Sequence, residues 1–185
     1  MKKVLFVLSL FLCLSCGRST ETLILGKWVL TKAECENFNE FASAKEQLAV
    51  RNIEQNIAQI KRNLGSAQNA GEKEKMQNRI SELAKEKQQV GNSIRTEIKA
   101  GLKATEGNMS YKFNESGRFS VSYDSENLKG SYKIDGDTIS IVLDNQENDR
   151  FVIKNLTAST LTISNIQEDF QKESSMKMVL SFKKN

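Results

Sequence analysis

The chain has 185 residues, 38% of them hydrophobic and 27% charged, with a formal net charge of +4. It contains no histidine, no proline and three cysteines. This composition allows one ordinary domain with an appendage, removes Ser-His and Cys-His catalysis and His-ligated zinc, and leaves too few thiolates for a four-cysteine metal site. A binding or structural role fits it better than an enzyme, and no catalytic residue, metal ligand or cofactor is assigned.

Residues 1–15 read as a signal peptide. Met1-Lys2-Lys3 is basic, and Val4 to Leu14 is apolar apart from Ser9. The run is too short to span a bilayer and fits a secretory signal. Leu14-Ser15-Cys16-Gly17 then resembles the bacterial lipoprotein signal, in which a cysteine after a small residue is acylated and becomes the new N-terminus. Cys13 stands where that family usually has an aliphatic residue, and an ordinary signal cut nearby is the alternative. The resemblance implies an acyl chain such as palmitate on Cys16, residues 16–23 as a tether, and a membrane partner. With Gly17 rather than aspartate after the cysteine, it implies outer-membrane delivery, the domain facing the periplasm. Cys13 leaves with the signal, so Cys35 remains as a lone thiol, expected to be a small buried side chain.

Residues 24–36 are expected to form a first strand. Residues 37–104 change character: Lys, Glu, Gln and Ala dominate, and apolar residues fall at helical spacing. Val50, Ile53, Ile57, Ile60 and Leu64 step by three and four, and Met76, Ile80 and Leu83, then Val90, Ile94 and Ile98, do much the same. This is a coiled-coil-like pattern. The segment Gly65 to Gly71 predicts a helix C-cap at Gly65 and a reversal before Glu72, hence an antiparallel helical hairpin. Lys87 interrupts the seam. Residues 40–104 carry 12 basic and 8 acidic side chains, a net of +4. A basic arm suits anionic lipid or an acidic partner, with a solvated face as the plainer reading. Nucleic acid is not an expected partner, because no aromatics interleave with the basic residues to stack bases.

Residues 105–185 switch to a period of two. Met109, Tyr111 and Phe113 alternate with polar residues, a turn follows at 114–117, and Phe119, Val121 and Tyr123 alternate again. A loop is expected over Ser125–Lys129, then Tyr132 and Ile134 lead into the hairpin signal Asp135-Gly136. Ile139, Ile141 and Leu143 precede a polar turn over Asp144–Asp149; Phe151 with Ile153, Leu161 with Ile163, and Met176 through Phe182 complete seven strands. With the first strand they make eight, enough for a closed up-and-down antiparallel barrel, so the predicted fold is mainly β with an α insertion.

Gly26-Lys27-Trp28 looks like the glycine–any–tryptophan opening of lipocalin-like proteins. The run from Gly130 to Ile139 resembles the central hairpin of small bacterial lipocalin-like lipoproteins, and Phe151–Thr157 with Thr160–Ile163 is similar to their next hairpin. The resemblance covers about 25–34 and 108–183; the helical hairpin is an insertion between strands one and two. It implies a barrel, and often no known activity.

The inward register is apolar and aromatic, without a charged residue. Trp28, Tyr111, Phe113, Phe119, Tyr123 and Tyr132 are its candidate ligand-binding residues, with a filled core as the competing reading. Asp124, Asp135, Asp137, Asp144 and Asp149 are all placed in turns. Two functions compete. The leading expectation is a structural or interaction module working through its hairpin, meeting an envelope protein or a second copy. The alternative is a carrier or sensor of a small apolar ligand. An open-ended cavity of about 300 Å³ or more would put the ligand first.

Overall fold

The computed structural model describes residues 19–67, 69–167 and 175–185. The signal peptide, Cys16 and Gln68 at the hairpin tip lie outside them. A short helix α1 (Thr20–Ile24) is followed by β1 (Gly26–Cys35), α2 (Phe38–Leu64), α3 (Ala70–Thr105), β2 (Met109–Phe113), β3 (Arg118–Tyr123), β4 (Glu126–Asp135), β5 (Thr138–Leu143), β6 (Asn148–Leu156), β7 (Thr160–Gln167) and β8 (Met176–Lys184). The eight strands close in sequence order, each antiparallel to its neighbours, and β8 returns to β1. The barrel with a helical insertion after its first strand is therefore present as the period changes predicted. Closure removes every free edge, which an open sheet would have to protect.

One end of the barrel is shut. α1, in the stretch expected to be a bare tether, packs there with Ile24 buried. The indole N–H of the buried Trp28 donates to the Ile24 carbonyl at 2.6 Å. Lys184 donates to the Leu23 carbonyl at 3.0 Å and holds its ammonium 4.9 Å from the Trp28 ring centroid. Above this stopper the barrel is packed by rings. Tyr111 lies 4.9 Å from Phe182 and 5.1 Å from Phe119, and Phe113 lies 5.1 Å from Phe119 and 5.0 Å from Tyr132, centroid to centroid. Edge-to-face contacts of this kind add to what burial alone contributes.

Two strands are longer than their alternation suggested. The stretch Ser125–Lys129, expected as a loop, turns at Asp124 (φ 50°) and Ser125 and is already β4 from Glu126, paired with Tyr123. Its polar composition hid it, because pairing rather than burial defines the strand there. A Cβ on Gly130 would sit 2.2 Å from the Val142 carbonyl, so β4 bends tightly onto β5 where only glycine fits.

The helical hairpin rises from the opposite end. α3 starts at Ala70, capped by the Asn69 side chain, which accepts from the Glu72 N–H at 2.8 Å. α2 does end at Gly65, but with a right-handed backbone, φ −66°, rather than a left-handed cap. The seams face each other: Ile53 and Leu83 are buried, and Val50, Ile57, Ile60, Leu64, Met76, Ile80, Val90, Ile94 and Ile98 are half-buried. Lys87, which breaks the apolar pattern, reaches across to Glu54. Gly91 lets the helices approach closely, its backbone lying under the Glu46 carboxylate that Arg95 holds at 2.7 Å. The hairpin therefore satisfies its own apolar stripe.

Its root is tied to the barrel by polar contacts. Thr31 bulges β1, and from there β1 pairs with β8 but no longer with β2. The connector after α3 fills the gap: the Glu106 carboxylate accepts from the Ala33 N–H at 3.3 Å, and the Gly107 N–H donates to the Leu30 carbonyl at 2.8 Å. On the other side, Asn37 accepts from the Lys177 N–H at 2.9 Å and donates to the Ser175 carbonyl at 2.8 Å.

Candidate functional site

A cavity of about 460 Å³ lies in the open mouth of the barrel, beneath the root of the hairpin. Phe41 of α2 and Ile98, Gly101, Leu102 and Thr105 of α3 form its roof. Leu30, Met109, Tyr111, Phe151, Met176, Met178 and Leu180 form its floor and walls, with Asp149 and Asn165 on the rim. The strands place these side chains by simple alternation. Phe151 faces inward on β6, so Asp149, two residues earlier, faces the same way; Asn165 pairs with Phe151 and with Met178.

Polar groups in this mouth are few. Burial pushes the Tyr111 hydroxyl well above the ordinary phenol range, and the nearby negative charge of Asp149 pushes it further. The Tyr111 side chain hydrogen-bonds to no described residue, so its hydroxyl faces the cavity unengaged. The Asp149 carboxyl is raised by burial against the apolar wall, then by the charge of Glu147, although the residue is open to solvent at the lip. Among the described residues, no lysine or arginine lines the cavity. On the outer side of the root, hydrogen bonding to Lys103, then to the Ala33 N–H, holds the Glu106 carboxyl below its usual range.

Of the six candidate ligand-binding residues, the structure brings Tyr111 alone to the cavity. Trp28, Phe113 and Phe119 belong to the packed interior below it. Tyr132 is half-buried near the closed end, where its hydroxyl donates to the Asn114 carbonyl at 3.0 Å. Tyr123 is half-buried at the open end of β3, off the cavity lining. The expectation of an inward face without charge is corrected by Asp149. It was placed in a turn, whereas β6 begins at Asn148 and sets it on the rim of the mouth. Counting back two from Phe151 would have found it; the run of polar residues from Asp144 masked that signal. The roof residues could not be found by strand alternation, because they come from the insertion.

A closed eight-stranded antiparallel barrel with one stoppered end and one cavity-bearing mouth is the setting for the comparisons. The model of the lipocalin-like domain matches residues 24–163, most of the chain. This chain belongs to the lipocalin-like domain family. The matched span includes the helical hairpin, the first six strands and the first half of the seventh. No curated protein matches. Two solved structures are similar at low identity. A DUF4847 family protein from Bacteroides vulgatus is 13% identical, with 89% of this chain and 96% of that one covered and a TM-score of 0.41. An uncharacterized protein from Bacteroides eggerthii is 16% identical, with 44% of this chain and 84% of that one covered and a TM-score of 0.34.

The lipocalin-like chain offers little for covalent chemistry among its described residues. No group of three His, Cys, Asp or Glu side chains is placed to hold a metal ion. Cys35 is half-buried and shares its proton with Asn37 Oδ1 at 3.3 Å; burial pushes its thiol up, which lowers its thiolate content and its reactivity.

Proposed function

We propose that this lipocalin-like chain is an acyl-anchored protein of the bacterial envelope that holds one small, largely apolar molecule in the mouth of its barrel. The observation that carries this is the 460 Å³ cavity, walled by Leu, Ile, Met and Phe side chains and open at the hairpin root. It exceeds the roughly 300 Å³ at which a pocket accepts a small ligand, and its apolar walls with few polar groups match such sites. Cys16 is the anchor in this reading and the periplasmic face of the outer membrane its location, on the strength of the Leu14-Ser15-Cys16-Gly17 signal. The test uses Gly101, which lines the cavity and whose Cβ would meet nothing within 4 Å. Gly101→Phe adds a ring at the roof, where its Cβ meets no neighbour, and should crowd the mouth. The neutral apolar dye N-phenyl-1-naphthylamine should saturate the native chain at one site and lose that binding in Gly101→Phe, with Tm unchanged or higher. Equal binding by both proteins contradicts the reading.

The hairpin supports a second role in the same molecule. Helices of 27 and 36 residues are about 40 and 54 Å long, far more than a roof requires. We propose the distal half as an arm that meets an envelope protein or a second copy. Because the two seams bury each other, its contact surface is the charged outer face rather than an open apolar stripe.

A further inference from the structure

The outer wall of the barrel across β1 to β4 has an unusual charge arrangement. The register sets Lys27 directly opposite Lys112, Lys112 opposite Ser120, and Ser120 opposite Lys129. Their strand neighbours Trp28, Phe113 and Phe119 are buried inside, so by alternation this row faces outward. Arg118, two residues from Ser120 along β3, shares the face. Together these residues line a concave depression of about 630 Å³ floored by serine and asparagine side chains, and among the described residues no carboxylate lines it.

Like charges directly opposite each other on a sheet are destabilising. Lys27, Lys112 and Lys129 form no ion pair with any described residue, and Arg118 has Asp144 only at 3.7 Å. Several cations elsewhere are answered: Lys32 by Glu34, Lys87 by Glu54, Arg95 by Glu46, Lys103 by Glu106 and Lys177 by Glu36. A wall that is merely solvated would interleave acids with its bases. This one gathers four cations and neutral hydroxyl and amide donors, which is the composition that receives oxyanions.

We propose that the β1–β4 wall docks on the anionic phosphate headgroups of the bilayer to which the chain is anchored. The proposal rests on Cys16 as the acyl site. Three peptide steps separate Cys16 from Ser19, a reach of at most about 11 Å. α1 then leads through Leu25 directly into Gly26 and Lys27 at the stoppered end. The anchor and the lower ends of β1, β2 and β3, with Lys27, Lys112 and Arg118, therefore share one end of the molecule. Surface cations act within a screening length of about 8 Å, and a short tether keeps this end of the barrel near the bilayer surface.

The test separates the wall from the anchor. The chain from residue 16 with Cys16→Ser has every described residue and no acyl chain. It should sediment with phosphatidylcholine vesicles containing about one-third phosphatidylglycerol and remain free with phosphatidylcholine alone. Added salt should release it. Each lysine near an anionic surface contributes about a fivefold effect, so Lys112→Gln with Lys129→Gln should lower partitioning by about 25-fold. Relief of the lysine pair should leave Tm unchanged or raised. Lys73→Gln with Lys75→Gln on the hairpin should leave partitioning as it is. Failure to bind anionic vesicles, equal partitioning by the wall variant, loss in the hairpin variant instead, or binding to a sulfated glycan but not to vesicles would each overturn the proposal.

Discussion

Tyr111 and Asp149 decide what the mouth can hold. A hydroxyl that opens onto the cavity without a protein partner contributes little to folding, so Tyr111→Phe should change stability by no more than about 1 kcal/mol. It should nevertheless weaken a ligand that hydrogen-bonds there, about five- to tenfold, and titration of a long-chain alcohol against the two proteins checks both halves. Asp149 sets the sign of charge. With Asp149 the one charged group among the described residues that line the mouth, dodecanol or dodecylamine should bind more tightly than dodecanoate, and Asp149→Asn should narrow the gap; equal affinities for all three would remove the carboxylate from the account. Its raised pKa also has a stability consequence. A carboxyl whose folded pKa exceeds its unfolded value holds its proton more tightly in the native state, so its contribution is present below the unfolded value and lost as pH rises through the folded one. From about pH 4 upward the native chain should therefore lose Tm relative to Asp149→Asn, a difference that a melting series over pH reads directly. At this scale the sequence was legible where alternation was strict, as in Met109-Tyr111-Phe113. It was not where a polar run, Asp144 to Arg150, mixed turn and strand residues that differ in pairing rather than in chemistry.

The elements divide into a barrel that a period of two announces and a hairpin that a period near 3.5 announces, and both were readable for that reason. Their joint was not. Asn37 stands at the N-cap position of α2 without a capping hydrogen bond, and its side chain instead fastens the start of β8 through Lys177 and Ser175. Asn37→Ala should cost about 1–3 kcal/mol by leaving two half-buried backbone groups unmet, seen as a lower Tm and faster amide exchange at the start of β8. The root also explains how the hairpin can be dissected. Joining Glu36 to Thr105 removes Phe41, Ile98 and Leu102 with the arm, so the barrel should fold but lose the apolar probe. Replacing residues 57–85 by a short Gly-rich loop keeps the Glu54–Lys87 and Glu46–Arg95 contacts and the roof. That chain should bind the probe as the native one does while losing any partner of the arm. If it loses the probe instead, the distal helices hold the roof in place and are not an independent arm.

For the whole molecule, the proposed anchor, wall and mouth combine into one arrangement, in which the stoppered end would face the membrane and the cavity and hairpin would point away from it. Mass spectrometry of the mature N-terminal peptide should find Cys16 acylated; an unmodified peptide starting elsewhere would detach the membrane from the account. The central claim concerns the mouth, and the chain carries its own reporters. Of its five methionines, Met109, Met176 and Met178 line the cavity, while Met76 sits far out on the hairpin. Methyl-labelled methionine spectra recorded during titration with dodecanol test the site directly. The account predicts saturable shifts at Met109, Met176 and Met178 that Gly101→Phe abolishes, with Met76 unmoved. Unmoved signals at all three mouth methionines, or shifts confined to Met76, would contradict it.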